Sequence, residues 1–470
     1  MRNKVNNWLG SLFTPISLGW QNLVVIPVAG LGLVLLLAHP SLFDRLQVYR
    51  VGIVVCSVFL LLGVYLSGRV DRPRLLIYAA LPLFCSVKIS LIYNGLATYD
   101  CLWGLYAQYL WVFMGWWLSK NISSLKVLGI SFVLGVVCIS GYALLQTLDL
   151  DPFPAVTIFG SRRVISTFEN PNYLGNILAC SLPILVYYFL TARREVIRWV
   201  VGFTLAMTYG AWIFVGSRGA WVGGVVGLSA LVVILASFRV DKKFKKRASL
   251  MSYLFLGSVL VGVSIYASEK IVIANAQGKL SAYQRLLSIR HVFDPRELGY
   301  FPGDAGAASL QIGDTFVHDT TINHRYFIWD VTRKMVTDNP IIGVGYGGFA
   351  QHFSTYRAIF LQDDRNNSLS EWQKMEETQY PHNEFLHILA ECGTLGLLSF
   401  IWLCGFVTYH FIRTRREAPS ICGTLFSGLL VMLVHGQVSY PLQTPVGSLF
   451  FWLTLGILVG LLKTDRQKSF

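Results

Sequence analysis

Charged side chains are scarce in these 470 residues, at 14%, and acidic ones are scarcer still, 25 against 39 lysines and arginines. So little charge excludes an ordinary soluble domain, in which roughly a quarter of residues are charged. Only one long polar stretch is present, from about residue 268 to 381, and no period of 20 to 50 residues repeats. That absence excludes solenoid and repeat-array architectures. No low-complexity segment occurs either. The eight cysteines lie in or at the ends of apolar runs, none inside the polar stretch and none in a Cys-x-x-Cys pair. Their placement argues against a disulfide frame or a zinc site, and they read as small apolar packing residues.

What the chain has instead is hydrophobic length. Mean hydropathy is +0.53, and 54% of residues are hydrophobic. Apolar runs fall at about 22–38, 51–67, 75–93, 102–118, 127–147, 172–190, 199–215, 220–238, 250–267, 384–410, 420–438 and 445–462. A helix of about 17 to 25 such residues crosses a hydrocarbon core of roughly 30 Å. The expected fold is therefore an all-α integral membrane protein with about twelve transmembrane helices. It divides into nine spans within 1–267, a large outer loop at 268–381, and three spans within 382–470. The first run lacks a small-residue cleavage site and is followed by further spans, so it reads as a span and not as a secretory signal.

Lysine and arginine set the expected orientation, because cytoplasmic loops near span ends collect positive charge. One alternate set of loops holds Arg2 and Lys4, Arg69 to Arg74, Lys120 and Lys126, Arg193 to Arg198, Arg239 to Arg247, Arg413 to Arg416 and the C-terminal tail. Both termini are then cytoplasmic, and the long loop faces the periplasm or outside of a bacterial inner membrane. The net charge of +14 is mostly this topology signal, so the expected surroundings are membrane lipids and no nucleic acid.

Within the polar stretch, residues 299–313 are rich in Gly, Asp and Ala and read as an irregular connection. From Asn323 to Asp338 the spacing of Phe327, Ile328, Val331 and Met335 predicts an amphipathic helix that Asn339-Pro340 stops. A Gly-rich turn from Gly343 to Gly348 follows. All histidines but His410 fall on or near the outer side.

The strongest local feature is Tyr380-Pro381-His382-Asn383-Glu384, leading from the outer loop into a span. Pro381 is expected in the first helical turn. His382, at the mouth of the span, is placed for general-base work. Glu384, His387 and Glu391 share one helix face, and a carboxylate as deep as Glu391 must face a wet cavity or a polar partner, because lipid would cost several kcal/mol. A structural polar seam between helices is the alternative for Glu391 and for His382.

Arg218, in Gly216-Ser217-Arg218-Gly219-Ala220, runs against the charge rule on the outer side. It either snorkels to headgroups or binds an anion. Arg162 and Arg163 precede Ser166-Thr167-Phe168-Glu169-Asn170-Pro171-Asn172, and Arg325 begins the amphipathic helix. Outward arginines beside a span-mouth histidine suit a lipid-linked diphosphate. The competing chemistry is a divalent cation held by Asp149-Leu150-Asp151 or Asp363-Asp364, motifs too short to be specific; no metal is expected.

Taken in order, Thr167 to Asn172, Ser217-Arg218-Gly219-Ala220, Arg325 with Trp329, Asp338-Asn339-Pro340-Ile341-Ile342-Gly343-Val344-Gly345, and His382-Asn383 followed by Gly393 and Gly396 resemble the bacterial O-antigen ligase and O-antigen polymerase superfamily (WaaL/Wzy type). These places span about residues 160 to 400, and Pro441-Leu442-Gln443 with Phe451-Trp452 resembles the family's final span. The resemblance implies a GT-C-like membrane glycosyltransferase with short helices in its periplasmic loop. Such an enzyme takes a glycan from undecaprenyl diphosphate and attaches it to an acceptor hydroxyl, with inversion and without a metal or other cofactor. By the same resemblance, His382 is the candidate base and Arg218 and Arg325 the diphosphate-binding arginines. Asn172, Asn383, Glu384, His387 and Glu391 support them, and Arg162 and Arg163 are further diphosphate candidates. The acceptor is left open between lipid A-core and a second lipid-linked glycan, with a protein hydroxyl as a third choice. Two other classes stay beside the enzyme: a transporter or flippase of the same lipid-linked glycan, and a scaffold for envelope assembly.

Overall fold

The computed structural model describes residues 21–39, 44–67, 74–94, 99–148, 150–151, 164–192, 194–237, 272–275, 278–281, 309–312, 315–318, 320–362, 377–414 and 421–462. Its helices are α1 (Gln21–Leu37), α2 (Arg45–Ser67), α3 (Arg74–Asn94), α4 (Tyr99–Leu118), α5 (Ile122–Thr147), α6 (Pro171–Thr191), α7 (Glu195–Phe214) and α8 (Arg218–Ser237), then α9 (Thr320–Asp338), α10 (Phe349–Leu361), α11 (Glu384–Thr414), α12 (Ile421–His435) and α13 (Pro445–Leu461). Eleven of the twelve apolar runs coincide with described helices, α1 to α8 and α11 to α13. The run at 250–267 lies outside the described residues.

Seven of these helices have the length and apolar composition to cross a membrane, and three shorter ones are also apolar. The chain is a multi-pass membrane protein. Its outward surface agrees: Leu61, Tyr65, Trp199, Phe203 and Val233 are all more than 65% exposed. Water would penalise such a surface, whereas lipid is its natural solvent.

Inside the bundle, small residues and polar pairs do the packing that hydrophobicity cannot do between helices in lipid. α13 lies along α4, α12 along α8, and α11 along α3. Gly456 sits so close to the Val112 carbonyl that a Cβ would overlap it. Trp111 Nε1 donates to Tyr49 Oη at 2.8 Å, tying α4 to α2, and Ser140 and Thr208 pair at 3.1 Å between α5 and α7.

The polar stretch holds two antiparallel hairpins, β1 (Val272–Asn275) with β2 (Gly278–Ser281) and β3 (Ser309–Ile312) with β4 (Thr315–His318). The expected all-helical membrane fold stands, and these two short hairpins are an addition to it that was not expected. The β-branched and aromatic residues of Ser309–Ile312 and Thr315–His318 suit strands, and the glycine-rich composition upstream obscured that signal. The amphipathic helix is present as α9: Phe327, Ile328, Val331 and Met335 are fully buried against Phe349, Phe353 and Ala390.

The segment between α9 and α10 meets α11 at a break in that helix. Gly393 has φ 64°, a conformation glycine adopts without the Cβ clash other residues meet. A side chain there would overlap the Ile341 carbonyl. The freed backbone groups are taken by the segment after α9. Thr394 N donates to Pro340 O at 2.8 Å, Val344 N to Ala390 O at 2.9 Å and Gly345 N to Glu391 O at 3.0 Å. Ser90 Oγ on α3 also donates to Glu391 O, at 2.8 Å. Pro340 to Gly345 and the glycine motif after His382-Asn383 are thus one joint.

Candidate active site

The chain enters α11 through Tyr380-Pro381-His382-Asn383. Asn383 Oδ1 accepts from Phe385 N and Leu386 N, both at 3.0 Å, and so caps the helix. Pro381 therefore lies outside the first turn where it was expected. Its carbonyl accepts from Trp329 Nε1 of α9 at 2.7 Å, and Asn383 Nδ2 donates to Gln437 O at 2.9 Å. Between these two anchors His382 has φ 54°. A non-glycine residue in this left-handed region carries about 1–3 kcal/mol of strain, which persists only where the surroundings impose it.

The His382 ring meets His324 edge-on at 6.0 Å and Tyr440 at 4.8 Å. Its Nδ1 is buried without a hydrogen-bond partner among the described residues. Burial first, then the charges of Arg325 and His324, hold His382 down to about 3. Burial and Arg325 hold His324 down to about 4. Both rings are neutral near pH 7, as a proton acceptor must be. Arg325 follows His324 on α9, and its charge also reaches Tyr440 and His435.

Arg218 opens α8. A cation at a helix N-terminus opposes the macrodipole, so helix stability does not account for it. Its neighbours bind it to the same region. Ser217 Oγ donates to Asn172 Oδ1 at 2.8 Å, and Gly219 packs so tightly on His435 that a Cβ would overlap the imidazole. His435 in turn pairs with Asn176 at 3.0 Å through Nδ1. Asn170, Pro171 and Asn172 form the capped start of α6: Asn170 Oδ1 accepts from Asn172 N at 2.8 Å. The starts of α6 and α8 and the end of α12 therefore meet around His435, within range of Arg325.

Glu384 and Glu391 are both buried and hydrogen-bonded. Glu384 accepts from Leu442 N at 2.6 Å and Gln443 Nε2 at 3.0 Å. Glu391 accepts from Phe349 N at 3.1 Å, the first residue of α10, and lies 3.1 Å from His387 Nε2. These contacts of Glu391 are the kind that the polar-seam alternative describes. Arg162, Arg163, Asp149, Asp363 and Asp364 lie outside the described residues. Asp151 accepts from Tyr142 Oη at 2.6 Å and Gln146 Nε2 at 2.9 Å.

Several residues went unnoticed in the sequence. Tyr440 stacks on Tyr380 at 4.7 Å and accepts from Tyr173 Oη at 2.8 Å. Arg45 is buried and donates through Nε to Leu35 O at 3.2 Å, and through Nη2 to Ala38 O at 2.8 Å and Thr167 O at 2.5 Å. It lies between the first two apolar runs, where the expected topology makes an arginine run against the charge rule, and that signal was available. Tyr173, Tyr380, Tyr440 and Arg45 all border a cavity of about 280 Å³.

Residues 202–401 match the family model described as O-antigen ligase. The chain is 23% identical over 395 residues to the exopolysaccharide production protein ExoQ of Rhizobium meliloti, covering 77% of this chain and 80% of that protein. Over 138 residues it is 25% identical to a Rickettsia felis protein named "Putative polysaccharide ligase", covering 29% of this chain and 30% of that protein.

Proposed function

We propose that this chain, an enzyme carrying the O-antigen ligase family's sequence over residues 202–401, transfers a glycan from undecaprenyl diphosphate to an acceptor hydroxyl at the periplasmic face of the inner membrane. The reading rests above all on one observation: a half-buried His382 at the mouth of α11, its Nδ1 without a hydrogen-bond partner among the described residues and its ring against those of His324 and Tyr440. The relatives' names, an exopolysaccharide production protein and a polysaccharide ligase, favour a saccharide reaction.

On this reading His382 takes the acceptor hydroxyl's proton as its oxygen attacks the anomeric carbon. The bond from that carbon to the diphosphate oxygen breaks, the configuration inverts, and undecaprenyl diphosphate leaves. Arg325 and Arg218 bind the diphosphate and stabilise the charge that grows on it, as fixed cations do without reorganisation; Arg162 and Arg163 are further candidates. Donor binding has a second effect. A diphosphate against Arg325 offsets the positive charge that weakens His382 as a base, so the imidazole gains basicity when the donor is seated. The acceptor is lipid A-core or a second lipid-linked glycan.

Purified protein given lipid-diphosphate-linked glycan and acceptor tests the assignment. His382→Ala and Arg218→Ala are expected to slow release of undecaprenyl diphosphate by at least about 10²-fold while the protein stays folded. Full turnover by either variant would remove the role assigned to it.

A further inference from the structure

The cavity bordered by Tyr440 has no part in the mechanism above. It lies between the starts of α2 and α6, the chain leading into α11, and the α12–α13 connection. Its volume of about 280 Å³ is near the lower end of small-molecule sites, about 300–1,000 Å³. That suits one sugar ring better than a chain of them.

We propose that this chamber is a saccharide subsite that holds a single pyranose ring of the lipid-linked glycan beside His382; the assignment rests on the transferase reading. The lining chemistry selects the ligand class. Tyr173, Tyr380 and Tyr440 form a locked aromatic wall, held by the 4.7 Å stack and the 2.8 Å hydroxyl pair. Such rings offer an apolar face with a polar tip, matching a pyranose that carries C–H groups on its faces and hydroxyls at its edge. Around them stand Arg45, Asn172, Gln379 and Glu169. Arg45 is only 6% exposed, and its Nε and Nη2 are spent on the carbonyls of Leu35, Ala38 and Thr167. The Nη1 donors are not spent on any of these bonds.

Amides present donors and acceptors together, and a carboxylate accepts from two hydroxyls. A phosphate site would be lined by donors alone, and the Glu169 carboxylate at this rim repels an anion. The surroundings fit a sugar that is attached to a lipid. Ile177 and Val446 line both the chamber and a second, apolar cavity of about 150 Å³ between the membrane helices. Tyr440 is the shared wall: it lines the chamber, and its ring lies 4.8 Å from that of His382.

Saturation-transfer NMR on the protein in a sugar-free detergent tests this, with the oligosaccharide released by mild acid from the host's lipid-linked glycan as probe. Wild type is expected to transfer saturation to the sugar C–H protons. Glu169→Gln and Gln379→Ala, both at exposed positions, are expected to weaken it at least fivefold. With intact donor they should raise KM at least fivefold and leave kcat within twofold. His382→Ala should keep the NMR signal while losing turnover. No transfer in wild type, unchanged signals in both chamber variants, or displacement of the sugar by inorganic diphosphate would each overturn the subsite. Sugar binding that responds to the variants, in a protein that never releases undecaprenyl diphosphate, would uphold the chamber and overturn the transferase reading.

Discussion

The His382 backbone is held in a left-handed turn between contacts from α9 and from the chain after α12. On the proposed mechanism, His382→Ala lowers kcat by about 10²–10⁴, the usual contribution of a general base, with donor KM little changed. Arg325→Gln removes one charge stabiliser and is expected to lower kcat by about 10²–10³; steady-state release of undecaprenyl diphosphate measures both. Acid stability follows from the same two rings. His382 and His324 sit at about 3 and about 4 when folded, below the unfolded value of about 6.5. The unfolded chain then binds more protons as pH falls. The stability these neutral histidines contribute is complete above about pH 6.5 and is lost towards their folded values, at up to about 1.4 kcal/mol per pH unit for each. Thermal unfolding at pH 7.5, 5.5 and 4.5 should show a shallower acid slope for His324→Gln than for wild type. These two imidazoles were legible as outer-side histidines; their pairing was not, because His324 and His382 are brought together by α9 packing over the start of α11.

The unit that positions His382 is an element broken on purpose: α11 opens at Gly393 to accept Pro340 to Gly345. Gly393→Ala puts a Cβ on the Ile341 carbonyl at a positive φ, and is expected to cost more than about 2 kcal/mol. A fall in melting temperature and in yield of monodisperse protein would register it. Glu391 belongs to the same joint. Glu391→Gln keeps the acceptor for Phe349 N and is expected to keep most activity, whereas Glu391→Ala orphans that donor and His387 and should lower the melting temperature. Catalysis lost in a well-folded Glu391→Gln protein would return Glu391 to the candidate chemical residues. Both glycine motifs were visible as patterns in the sequence. That they are one structure was not, since the bonds joining them are backbone to backbone and leave no mark on side-chain type.

For the molecule as a whole, the proposed chemistry would need the mouth of α11, with α9 and α10, to face away from the cytoplasm. The lysine and arginine distribution leads to the same expectation. A single cysteine at Gln379, in a background with all eight native cysteines replaced, should react with a membrane-impermeant maleimide once the outer membrane is permeabilised and the inner membrane left intact. Labelling only after the inner membrane is opened would reverse the orientation and remove the periplasmic site.

Composition and hydropathy alone determined that lipid is the solvent, where nearly every described helix runs and which residue types stand at the span ends. Those properties are local sums over neighbouring residues, and a helix in lipid must satisfy its own backbone within itself. Only the tertiary structure decided which polar groups are spent on scaffold and which border open space. Arg45 finds Thr167 across 122 residues and His435 finds Asn176 across 259. A lone sequence carries the charge of each such group but not the identity of its partner, because desolvation and hydrogen bonding depend on contacts that exist only when the helices have packed.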